Sequence, residues 1–250
     1  MSEAVIAVSD LSVTYGRRGR TVHAVDGISF TVSEGECVGF IGVNGAGKST
    51  TLKTLMGFLF ATSGEALVWG QPAGTPESRL RIGYLPEVAL YYPFMKAREL
   101  LELYGGLSGL DKALLRDRIP EVLAMVGLAG KGEILLKQFS KGMQQRLGIA
   151  QSIIAEPDLF IFDELTSGLD PLGRHTLRTL LLGLKAQGKT IFFSSHELVE
   201  VESLCDRVLI IHQGRILRDA TVAALRAEGG TRGLEGFFID LIGAAGGAQA

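Results

Sequence analysis

Residues 42–50 read GVNGAGKST, directly after the apolar run CVGFI (Cys37–Ile41) and directly before a stretch of helical character. Few short stretches restrict a chain as much as this one. Gly42, Gly45 and Gly47 let the backbone fold tightly enough for successive N–H groups to face one phosphate. The helix that follows adds its unpaired N–H groups and its positive end. GxxxxGK[ST] between a strand and a helix reads as a P-loop. Lys48 then supplies a point charge to the β- and γ-phosphates. Ser49 offers a hydroxyl to Mg2+, a hard cation that takes oxygen ligands and keeps several waters.

The rest of the chain fits an α/β frame around that loop. Short β-rich runs at 5–8, Cys37–Ile41, Leu159–Phe162, 190–194 and 207–211 alternate with helical patterns, which predicts a P-loop core with a mostly parallel sheet and a small N-terminal β region. Between Glu87 and Glu156 the strand signal stops and helical spacing takes over, at 98–104, 113–126 and 141–155. We therefore expect one domain: an α/β core from 1–86 and 157–220, a helical lobe at 87–156, and a C-terminal extension at 221–250. The final GAAGGAQA (243–250) is small and feature-poor and is expected to be mobile.

Composition narrows the partners. A net charge of −2 and a pI near 6.1 provide no basic field to recruit nucleic acid. Cys37 and Cys205 stand apart without metal-ligand spacing, as two buried thiols in a reducing cytoplasm would. The start, MSEAVIAVSD, carries an acid where a signal peptide needs positive charge, and no window reaches a membrane-spanning length of apolar residues. Any membrane is expected to be reached through a partner.

A P-loop needs a carboxylate for its metal, at the carboxyl end of a buried strand. LFIFDE supplies one: Asp163 follows four apolar residues and is the metal candidate, directly or through water. Glu164, pointing differently, is placed to activate a water against the γ-phosphate.

In their order, the P-loop, FSKGMQQR (139–146), LFIFDE, TSGLD and SSH resemble the ATP-binding cassette of ABC transporters across nearly the whole chain. The resemblance implies an ATPase with ATP and Mg2+ as its ligands. Gly42, Val43, Asn44, Gly45, Ala46, Gly47, Lys48, Ser49 and Thr50 match the family's nucleotide-binding loop. Ser140, Gly142 and Gln144 match its signature motif, which opens a helix whose N-terminus meets the γ-phosphate of ATP held by a partner cassette. Lys141 replaces the usual glycine there, and Met143 also departs from the commonest form. Met143, Leu147, Ala150 and Ile154 share one helical face, so such a helix can pack while its N-terminus stays available. Asp170 matches the loop that crosses the family's dimer, His196 the histidine that contacts the γ-phosphate, and Tyr15 the aromatic that stacks on adenine.

Two positions depart further. Glu87, in IGYLPE, stands where many members have a glutamine linking Mg2+ to the helical lobe, and so adds negative charge near the metal. Leu165 occupies a common proline position, which loosens the turn without touching the chemistry. YLPE, SKGMQQR and the late LEGFF are similar to single-cassette prokaryotic proteins that pair with separate membrane subunits, often exporters.

The implied function is an ATP-hydrolysing transporter subunit at the cytoplasmic face of the membrane. It would dimerise on ATP, with itself or with a closely related cassette, and drive a transmembrane permease. The aromatic run LYYPF (90–94) is the candidate contact with that permease, with core packing as its alternative. The rival class is a soluble cassette working without a transporter, but no room exists between Lys48 and Ser140 for a long coiled-coil arm. A nucleotide kinase would leave FSKGMQQR without a purpose.

Overall fold

The computed structural model describes residues 4–17 and 20–247, which fall into two compact units, Met1–Arg79 with Thr190–Ala250, and Leu80–Lys189. The first unit opens with two long antiparallel strands, β1 (Ala4–Arg17) and β2 (Arg20–Ser33). Only 5–8 reads as strand in the sequence, because the apolar alternation slips afterwards. The slip is a bulge: the register shifts between Val8 and Leu11, with Asp10 at φ +48°, and Leu11 and Val13 then follow Val8 into the core. Next come β3 (Cys37–Ile41), buried at every position, and α1 (Lys48–Leu55). After them β4 (Ser63–Val68) pairs antiparallel with β1, β5 (Gln71–Pro72) pairs with β4, and α2 (Pro76–Arg79) is a single turn.

The second unit holds β6 (Ile82–Leu85), α3 (Ala97–Leu107), α4 (Lys112–Met125), α5 (Lys141–Ile153), β7 (Leu159–Phe162) and α6 (Pro171–Ala186). β6 and β7 pair in parallel. Gly83 in β6 is a point of close approach, since a Cβ there would lie 2.3 Å from the Ser152 carbonyl oxygen of α5. Each helical pattern of the sequence has its counterpart, started by a local cap. Asp111 accepts the Leu114 N–H at 2.8 Å for α4, and Ser140 accepts the Met143 N–H at 3.2 Å for α5. Pro120 stands inside α4 on its exposed side, where water can reach the Arg116 carbonyl that its missing N–H leaves without a helix bond.

The chain then returns to the first unit with β8 (Thr190–Ser195), α7 (Leu198–Leu204), β9 (Arg207–His212), β10 (Arg215–Thr221), α8 (Val222–Glu228) and α9 (Gly233–Gly247). β3 lies between β8 and β9, parallel to both, and β10 runs antiparallel along β9. Phe30, Phe40 and Phe192 form a buried triangle with ring centroids 5.5–6.0 Å apart. That triangle joins the antiparallel sheet to the parallel strands of this unit.

The fold class is thus the expected one, α/β with a mostly parallel sheet, although the N-terminal β region is a four-stranded antiparallel sheet rather than a small appendage. Cys37 and Cys205 are both buried and neither is in a disulfide. Among the described residues no helix is long and apolar enough to cross a membrane. The expected mobile tail is instead the end of α9 as far as Gly247, and 248–250 lie outside the described residues.

A charge network ties α3 to the turn before α5. Lys96 Nζ donates to the Glu133 carboxylate at 2.6 Å and Arg98 Nε donates to the same carboxylate at 2.8 Å, while Arg98 also pairs with Glu102. The hydrogen bonds from Lys96 and Arg98 lower the Glu133 pKa from 4.5 to about 2. A folded-state pKa below the unfolded one gives stability that is present above pH 4.5 and is lost as pH falls toward 2. In Glu133→Gln the acid side of a urea-midpoint profile should therefore flatten over that window. The difference should fade with added salt, because the pair is exposed. Parallel profiles for variant and wild type would show that the network contributes nothing.

Candidate active site

The P-loop is a tightly fitted cradle. A Cβ on Gly42 would stand 2.3 Å from the Ile211 carbonyl oxygen, and one on Gly47, at φ +114°, would stand 2.5 Å from that of Ala24. Only glycine fits either place. Gly45, at φ +77°, faces open space, so its requirement is conformational. Around these glycines the Ala46 N–H donates to Val43, and Ala46 accepts from the Gly214 N–H at 2.9 Å. Val43, Asn44 and Gly45 are exposed at the lip, while Ala46, Gly47 and Lys48 are buried.

Lys48 extends back over the loop and donates to the Gly42 carbonyl oxygen at 2.7 Å, so its charge is already held where a phosphate would enter. Ser49 and Thr50 occupy the first turn of α1, half-buried. Tyr15, 40 % exposed, has its hydroxyl 3.1 Å from the Thr50 hydroxyl, which sets its ring beside the loop. His196 leaves the end of β8 as an exposed side chain. Ser195 is in register with Ile41 on the neighbouring parallel strand, so His196 and Gly42 emerge from the same sheet edge, where α/β folds bind ligands.

In the second unit Asp163 follows β7 and is wholly buried, with its N–H donating to the Leu85 carbonyl oxygen at 2.8 Å. Burial, and then the Asp163 charge, push the Tyr84 phenol up to about 12. An oxygen donor in so dry a setting suits a hard divalent cation. Glu164, 8 % exposed, sits at φ +52°. A non-glycine residue in the left-handed region stores local strain, which turns Glu164 away from the line of the strand.

Ser140, Gly142 and Gln144 form the head of α5, with Ser140 as its exposed N-cap. Gln144 donates to the Phe139 carbonyl oxygen at 3.5 Å. The turn after Glu164 packs on this head: a Cβ on Gly168 would meet the stem of Lys141 at 2.9–3.1 Å. Lys141, unusual in sequence, therefore covers a glycine. Asp170 caps α6 by accepting the Gly173 N–H at 2.7 Å, so its carboxylate already has a partner within its own chain. Glu87 is exposed, two residues beyond β6. Leu90, Tyr92 and Phe94 are 90 %, 74 % and 76 % exposed, so only Tyr91 of that run turns inward.

Gln145 was not singled out in the sequence. It is buried in α5 and donates to the Leu165 carbonyl oxygen at 3.1 Å, fastening that helix to the turn after Glu164. A second glutamine in a polar run carries no signal of burial.

The family model described as ABC transporter matches residues 25–167, more than half of the chain. The chain belongs to the ABC transporter family. It is similar to an ABC transporter ATP-binding protein, all4389, of Nostoc sp., with 43 % identity over 93 % of this chain and 71 % of the relative. It is also similar to the Nod factor export ATP-binding protein I of Paraburkholderia xenovorans, with 37 % identity over 91 % of this chain and 74 % of the relative. Among solved structures it superimposes on an ATP-binding subunit of an ABC transporter with a TM-score of 0.85 and 34 % identity, covering 95 % of this chain and 99 % of the other.

Proposed function

We propose that this chain is the ATP-binding and ATP-hydrolysing subunit of an ABC exporter, working as a pair of cassettes beneath a separate membrane permease. The observation that carries the reading is the cradle at residues 42–48. Two glycines there are forced by backbone oxygens at 2.3 and 2.5 Å, and a buried lysine is already positioned over the loop. The relatives' named roles in ATP binding and in Nod factor export support the substrate and the outward direction.

In this reading residues 42–50 bind the phosphates and Tyr15 stacks on the base. Lys48 neutralises charge that develops on the γ-phosphate, while Glu164 and His196 orient and deprotonate the attacking water. Ser49 and Asp163 would hold Mg2+, with Glu87 nearby in place of the usual glutamine; bound there, the ion offsets phosphate charge. Ser140, Gly142 and Gln144 receive the γ-phosphate of the other cassette, and Asp170 stands at the contact between cassettes. Residues 87–156 form the lobe that follows the permease. Leu90, Tyr92 and Phe94 are an exposed apolar cluster of the kind that marks a protein contact, and they are the proposed permease surface.

A tagged chain recovered from detergent-solubilised membranes is expected to bring a polytopic membrane protein with it. Leu90→Ser/Tyr92→Ser/Phe94→Ser should lose that protein and keep ATP turnover. Full recovery of the membrane protein by the triple variant would contradict the surface. Recovery of an active ATPase with no membrane protein at all would contradict the transporter reading.

A further inference from the structure

Gly148 stands in the interior of α5 and is buried. A glycine there weakens a helix relative to alanine, so the position calls for a steric reason. A Cβ on Gly148 would lie 2.4 Å from Leu85 Cδ1 and 3.0 Å from the Tyr91 hydroxyl. Leu85 has 0 % exposure and so little space into which to retreat. The same Leu85 accepts the Asp163 N–H through its carbonyl oxygen at 2.8 Å.

Tyr91 enters the notch from the otherwise exposed run at 90–94. Its hydroxyl is buried and has no hydrogen-bond partner among the described residues. Burial, and secondarily Tyr104, push its pKa well above the ordinary tyrosine range. A buried hydroxyl left unpaired is unfavourable, so packing of the ring, not a polar bond, keeps it there.

We propose that Gly148 is a positioning residue for Asp163. Its missing side chain lets α5 close onto Leu85, which holds the backbone of Asp163, so the notch sets where that carboxylate stands relative to Ser140 at the head of the same helix. Tyr91 is the wedge that keeps the notch filled. The catalytic side of this inference rests on the reading of Asp163 as the carboxylate that holds Mg2+.

The test uses the full chain as wild type, Gly148→Ala, Leu85→Val, Gly148→Ala/Leu85→Val and Tyr91→Phe. In Gly148→Ala, amide hydrogen exchange across 159–166 should speed up by roughly tenfold or more. The Mg2+ concentration for half-maximal ATP turnover should rise several-fold at unchanged KM for ATP. Leu85→Val shortens the side chain that the new methyl would strike, so the double variant should return both readings toward wild type. Tyr91→Phe keeps the ring and drops the unpaired hydroxyl, so its exchange should match wild type and its Tm should not fall.

Wild-type exchange in Gly148→Ala would overturn the proposal. So would a defect that Leu85→Val does not repair in a folded double variant, and a lowered Tm in Tyr91→Phe would remove the wedge. Should Gly148→Ala fail to fold while the double variant folds, the notch is supported. A wild-type chain without ATP turnover would refute the function proposed above, and the exchange measurements would still decide the role of Gly148.

Discussion

Lys48→Ala is expected to lower ATP affinity by roughly 10- to 100-fold, the equivalent of about 1.5–3 kcal/mol for hydrogen bonds to a charged group, and to leave no measurable turnover. The ammonium is buried and held 2.7 Å from the Gly42 carbonyl oxygen. On the proposed reading the charge is already in place beside the loop, so binding needs no search by a flexible side chain. Equilibrium titration with ATP in Mg2+ buffer reads the effect. Thermal unfolding alongside it separates lost binding from a collapsed loop. Wild-type affinity in a folded variant would remove Lys48 from the phosphate site.

Glu164→Gln is the complementary case. The amide keeps the shape of the side chain and leaves the left-handed backbone at φ +52° to be stabilised by the same turn, in which the Ser167 N–H donates to the Glu164 carbonyl oxygen at 3.1 Å. On the proposed reading the substitution removes the base. Turnover should fall by roughly 10²- to 10⁴-fold, the usual range for removal of a general base, while ATP binding survives. If hydrolysis separates the cassettes, as proposed, the variant should accumulate as an ATP-bound dimer, visible by light scattering. Unchanged phosphate release would transfer the catalytic role to His196 or Glu87.

Much of this site is legible from residue order because its parts are local. A glycine loop between strand and helix, an acid after four apolar residues and a serine opening a helix each need only a few neighbours to be recognised. The core strands are legible for the same reason: Cys37–Ile41 and Leu159–Phe162 are buried at every position and read as unbroken apolar runs. β1 and β2 are not: the bulge at Asp10 breaks the alternation in β1, and register shifts between His23, Val25 and Ile28 break it in β2. Contacts made across long sequence separation are also invisible. Gln145 on the Leu165 carbonyl, Lys141 over Gly168 and the notch at Gly148 depend on which segments meet, not on what each segment contains. Glu164 carries the same lesson at the level of one residue, since nothing in LFIFDE announces a positive φ.

The central claim is that the head of α5 serves the nucleotide of the other cassette, and mixed dimers test it most directly. Lys48→Ala damages a chain's own phosphate loop. Gly142→Asp places a carboxylate where the partner's γ-phosphate would arrive; the added Cβ meets only the Gly168 carbonyl oxygen at 3.1 Å, a contact that a small shift can relieve. Each variant alone should be inactive. When the two are assembled together, a site shared between chains puts both lesions in one place and leaves the other intact, so phosphate release should recover in part. The control is the double variant paired with wild type, in which a shared site is broken on both sides and activity should be absent. No recovery in the first mixture with activity retained in the second, dimers being verified in both, would show that residues 139–146 read their own chain's nucleotide and would contradict the account.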